Sequence, residues 1–111
     1  MVYIENYIDM KSCLFYLALM EFTWDLDKEN KNLVKHGFKF SMAEEIIKSP
    51  DMLLLIDDRY DYGEERYLSY AEIEGLKVCL CYVIRDDVHR VISLRRVHDK
   101  EWRKVHGDSY L

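Results

Sequence analysis

The sequence predicts an α+β domain in which helices pack on a small antiparallel meander sheet, in the order β-α-α-β-β-β-β-α. Two observations carry this. The apolar pattern changes from helical to strand period near residue 52, and the segments beyond it are joined by turns far too short for parallel crossovers, which need about a dozen residues. The size agrees: 111 residues, half of them apolar, one proline and four glycines suit one folded domain and exclude linker-like disorder. No run reaches the ~18 apolar residues of a spanning helix, so no membrane partner is expected.

The elements follow in order. Residues 1–19 are expected to be an extension outside the domain (20–111), with a packed N-terminal strand or helix as the other reading. They do not read as a secretory leader, because Glu5 and Asp9 outweigh Lys11 and no small-residue cleavage site follows. Phe22 to Trp24 reads as a strand. Asp25 is a good N-cap for a helix with Leu26, Leu33 and Val34 as its apolar anchors, and Gly37 after Lys35-His36 supplies the stop. Ser41 to Glu44 fits a capping box, Ala43, Ile46 and Ile47 share a helical face, and Pro50 closes that helix. Strands are expected at Met52–Ile56, Arg66–Ile73, Leu76–Ile84 and Val88–Leu94, with turns at Glu74-Gly75 and Asp86-Asp87. Asp99 is expected to cap a terminal helix to His106, giving helices on one face of the sheet.

Charge is uneven. Residues 51–74 carry eight acids against two bases, and residues 85–106 carry seven bases against four acids. That split suits an anion-binding face opposite a face for a basic partner, or simply a mixed solvated surface. Three cysteines with no pairing framework point to a reducing, cytoplasmic setting. Cys79 and Cys81 read as small buried side chains, and no zinc spacing accompanies them, so neither metal nor cofactor is expected.

Four features are candidates for chemistry, each beside a structural alternative. His36 at a helix end could transfer protons or merely complement the helix dipole. Glu64 and Arg66, two apart, could be a base and a phosphate clamp or a surface ion pair. In the last strand, Val91, Ser93 and Arg95 are expected on one face and Arg90, Ile92, Leu94 and Arg96 on the other, which makes Arg95 the better phosphate ligand and leaves Arg96 solvated. Tyr82 could stack on a base or fill a half-buried sheet position. An Arg/Lys/His/Glu inventory with no nucleophile elbow or phosphate-binding loop suits RNA cleavage, in which the substrate's own 2′-hydroxyl is the nucleophile.

Three separated blocks then resemble one family. They are Phe22, Trp24-Asp25, Lys28, Asn32, Lys35-His36-Gly37, Phe40 and Ala43; Asp58-Arg59 and Asp61 to Arg66; and Tyr82, Arg85, Arg90, Ile92-Ser93, Arg95 and Glu101. In order and spacing the chain is similar to the BrnT family, ribonuclease toxins of type II toxin–antitoxin systems with a RelE-like fold. It departs from the family pattern at Val83, Leu94 and Val105, positions that bear on packing. The resemblance implies an endoribonuclease acting on messenger RNA without a metal, a BrnA-type DNA-binding antitoxin as partner, and operator DNA contacted only through that complex. It also implies a site in which Arg95 and Arg66 hold phosphate, Glu64, Lys35 and His36 supply charge or proton transfer, and Arg90, Tyr82 and Arg85 line the RNA. The alternative is a binding module of the same fold, kept for antitoxin contact and operon control with cleavage lost. The acidic 51–74 surface is then expected to meet the antitoxin and the 85–106 segment the RNA.

Overall fold

A computed structural model describes residues 2–3 and 20–107. The order is β1 (Val2–Tyr3), β2 (Glu21–Thr23), α1 (Leu26–His36), a 3₁₀ turn (Phe40–Met42), α2 (Ala43–Lys48), β3 (Leu53–Asp57), β4 (Arg66–Ile73), β5 (Leu76–Arg85), β6 (Val88–Arg96) and α3 (Asp99–His106). Among the described residues these strands form one sheet, β1-β3-β4-β5-β6-β2. β3 to β6 are the antiparallel meander that the short turns require. Both hairpin turns have two residues at positive φ, Glu74 and Gly75 in one and Asp86 and Asp87 in the other. That is the backbone whose twist matches the flanking strands. β2 lies parallel to the start of β6, and β1 antiparallel to β3. The extension expected over residues 1–19 lies outside the described residues except at Val2 and Tyr3. Among the described residues no helix is long and apolar enough to cross a membrane.

Local signals hold for α1. The Asp25 carboxylate accepts from the N–H groups of Asp27 and Lys28, and Gly37, at φ 80°, ends the helix. Two other caps differ from expectation. Ser41 lies inside the 3₁₀ turn, so the capping box is not formed, and α2 starts after Met42 without a side-chain cap. α3 is preceded by His98, while Asp99 sits in the first turn and pairs with Lys77 at 3.0 Å.

Helices cover both faces of the sheet rather than one. Phe40, Ala43, Ile46 and Ile47 pack with Val78, Leu80, Tyr82, Val91 and Leu94 on one face. On the other, Trp102 and Val105 of α3 pack with Leu55, Leu68, Tyr70, Cys79 and Cys81. Each fully buried aliphatic side chain contributes about 1.5–3 kcal/mol. Cys79 and Cys81 share this second face as small buried groups, as their spacing suggested.

α1 inverts its expected polarity. Leu26 and Val34 are mostly exposed, while the residue it buries is Asn32. The reason is visible at β6. Asn32 Nδ2 donates to the Leu94 carbonyl (2.8 Å), and the Leu94 N–H donates to Asn32 Oδ1 (3.0 Å). One carboxamide thus takes the place of a neighbouring strand where β2 has ended, and hydrogen bonding outweighs apolar burial in orienting the helix.

Candidate functional site

The face assignment of β6 turns on a bulge. Cys81 pairs with Ser93 and Tyr82 with Val91, so Ile92 is the extra residue. Strict alternation, which put Val91 with Arg95 and opposite Leu94, fails at that point. Val91 and Leu94 both face the α2 core, and Arg95 faces the α3 side. The bulge therefore delivers Arg95 to the sheet surface over which the terminal helix lies.

There Arg95 borders a cleft of about 440 Å³ with Arg59, Tyr70, His98, Lys100, Glu101 and Lys104. Glu101 grips one guanidinium edge at 2.8 and 2.7 Å, and the Tyr70 hydroxyl donates to the same carboxylate at 2.8 Å. Arg95 first, and Tyr70 after it, hold the Glu101 carboxyl below its usual range. Burial pushes Tyr70 upward and the Cys79 thiol up to about 12, so both stay protonated. Arg59 is held the same way. Asp57, buried at the end of β3, accepts from its Nε and Nη2, each at 2.8 Å, and from the Tyr62 hydroxyl at 3.2 Å. The Arg59 contact lowers the Asp57 carboxyl to about 2. Two guanidiniums, each fixed along one edge by a carboxylate, keep their remaining donors for an anion. Lys100 and Lys104, one helical turn apart, place two ammonium groups on the same wall.

The expected site residues separate into groups. Arg66 shares the sheet face with Arg95, since Arg66 stands opposite Asp57 and both guanidiniums act on the Cys81 thiol. It lies four residues along β4 from Tyr70, however, roughly 14 Å from the level of Arg95 at the ~3.4 Å strand rise, and its guanidinium sits 3.8 Å over the Tyr62 ring. Arg59, not Arg66, accompanies Arg95 in the cleft. Glu64 does not pair with Arg66. It forms a two-bond contact with Arg85, at 2.6 and 3.0 Å, which lowers its carboxyl and occupies both groups away from the cleft. Tyr82 is 3% exposed, bonded to Ser69 and stacked on Tyr67, so its ring has no open face for a base. Arg90 pairs across from Thr23 and Val83 at the opposite end of β6. His36 does not line the cleft; burial first, then Lys35 and Arg95, lowers its pKa and favours the neutral imidazole. Lys35 is exposed beside it, as is Arg96 at the end of β6.

Arg59, Lys100, Lys104 and His98 are the members that sequence reasoning passed over. The i, i+4 spacing of the two lysines beside Glu101 was a usable signal, whereas Arg59 depends on Asp57 and on the loop's return toward α3. The cleft adjoins the acid-rich hollow of the β3–β4 loop, because Arg59 lines both.

Fold and cleft together define a small α+β protein in which two carboxylate-held arginines and two lysines line one cleft. Residues 24–101 match the family described as "Ribonuclease toxin, BrnT, of type II toxin-antitoxin system". The chain belongs to the BrnT family. No curated protein matches it individually.

Proposed function

We propose that this chain is a cytoplasmic endoribonuclease toxin that cuts messenger RNA without a metal ion and so arrests growth. The supporting observation is the pair of carboxylate-held arginines, Arg95 and Arg59, in one cleft with Lys100 and Lys104. In this reading the scissile phosphate rests between the two guanidiniums. The adjacent 2′-hydroxyl attacks phosphorus, and its proton passes to an imidazole, for which we propose His36 at the end of α1, outside the cleft lining but within electrostatic reach of Arg95. The guanidiniums stabilise the extra negative charge of the five-coordinate phosphorus. His98 on the cleft wall protonates the departing 5′-oxygen, leaving a 2′,3′-cyclic phosphate and a 5′-hydroxyl. Arg66 serves the flanking RNA, while Lys35 adds positive charge at the rim. Glu64 and Arg85, engaged with each other, and the buried Tyr82 take no part.

A BrnA-type antitoxin is the proposed neutralising partner, with operator DNA reached through its DNA-binding part. The test is expression in a host lacking antitoxin, following growth and RNA integrity. Wild-type protein should arrest growth with RNA cleavage. Arg95→Ala should remain folded by circular dichroism and permit growth. Full arrest by Arg95→Ala overturns the assignment of Arg95, and intact RNA with the wild type favours a binding module.

A further inference from the structure

We infer that the hollow of the β3–β4 loop is a second RNA subsite, one that takes an unpaired nucleobase carrying an exocyclic amino group. The inference rests on the reading of the neighbouring cleft as the phosphate site. The hollow has a volume of about 530 Å³ and shares Arg59 with the cleft, so it is within reach of the base of a nucleotide whose phosphate meets Arg59.

Its lining includes two aromatic rings in contact. The Tyr60 ring is 69% exposed and stands edge-on against Tyr62, with centroids 5.7 Å apart at 68°. Tyr62 is itself fixed on two sides, by the Arg66 guanidinium 3.8 Å over its ring and by the bond from its hydroxyl to buried Asp57. An exposed ring propped on an anchored one needs little ordering when a base stacks on it. Asp58, Asp61 and Glu65 line the same hollow. Carboxylates repel phosphate oxygens and the carbonyl edge of uracil, but accept hydrogen bonds from an amino group such as cytosine N4. The loop thus admits a base and keeps the backbone in the cationic cleft. A paired base has no free face to stack, so the substrate here is single-stranded.

The experiment uses short 2′-O-methyl oligonucleotides, which lack the attacking hydroxyl, and measures binding to the full chain by fluorescence anisotropy. Oligocytidine, oligouridine and an abasic strand of equal length are compared on wild type, Tyr60→Ala and Tyr60→Phe. Tyr60→Ala should weaken oligocytidine binding by roughly five- to 150-fold, the range for losing one stacked base, and Tyr60→Phe should stay within about twofold, since it keeps the ring. Abasic binding should be unchanged throughout, and oligocytidine should bind wild type at least about fivefold tighter than oligouridine, the worth of one hydrogen bond. Equal binding of oligocytidine by wild type and Tyr60→Ala, or an equal loss on the abasic strand, overturns the subsite while leaving the cleft reading intact. Equal affinity for oligocytidine and oligouridine overturns the amino-group preference. Wild-type protein that binds none of the three overturns the cleft reading as well.

Discussion

Asp57 is where a single oxygen-for-nitrogen exchange should report most directly on how the cleft is held. Its carboxylate is buried and takes two hydrogen bonds from the Arg59 guanidinium, one from the Arg59 N–H and one from the Tyr62 hydroxyl. These contacts, led by the Arg59 side chain, bring its pKa from 3.8 to about 2. At ~1.4 kcal/mol per tenfold change, that gap is worth roughly 2–3 kcal/mol of folding stability. The folded-state value is the lower one, so the contribution is complete above pH ~4 and fades as pH falls toward 2. Asp57→Asn should therefore cost about 2–3 kcal/mol at pH 7, close to half that at pH 3, and little at pH 2. Urea unfolding followed by circular dichroism at pH 7 and pH 3 measures both differences. A gap between the two proteins that is the same at both pH values would refute the claim that the charge of Asp57, rather than its shape, secures Arg59.

Glu101→Gln should leave Arg95 in place but loosen it. We expect cleavage to fall about 10- to 100-fold, mostly in kcat, with stability down by ~1–2 kcal/mol, measured by single-turnover cleavage and urea unfolding; wild-type rates would dismiss Glu101 as a positioning residue. Asn32→Leu should be costly although it adds an apolar side chain, because the Leu94 N–H and C=O lose their partner. Two unsatisfied main-chain groups at about 1–3 kcal/mol each, partly rehydrated at the sheet edge, give a loss of ~2–4 kcal/mol. A thermal melt unchanged within 2 °C would contradict this.

What was legible in the sequence is what neighbouring residues decide among themselves. The Asp25 cap, the Gly37 stop, the two hairpins and the strand spans need only local backbone preferences and apolar period. What was missed depends on partners far along the chain. The Ile92 bulge reverses the facing of Val91 relative to Arg95, and nothing within Arg90 to Arg96 announces it, since pairing with β5 creates it. α1 was read by its leucines, but the bonds between Asn32 and Leu94, 62 residues apart, decide which side turns inward. The cleft combined both effects. Arg95 is legible as an anion-ligand candidate from its residue type on β6, and the structure places it at a cleft. The arginine that shares this cleft is Arg59 and not Arg66, because buried Asp57 and the path of the β3–β4 loop bring Arg59 there.

The carboxamide of Asn32 has a bearing on how the protein behaves in a crowd. A strand that ends a sheet offers its bare amides to any other extended chain, the usual start of sheet-to-sheet aggregation. β2 shields only Val88 to Arg90 of β6, and Asn32 blocks Leu94 further on. A short strand and a single side chain therefore act as a stopper, closing that rim against recruitment into growing assemblies.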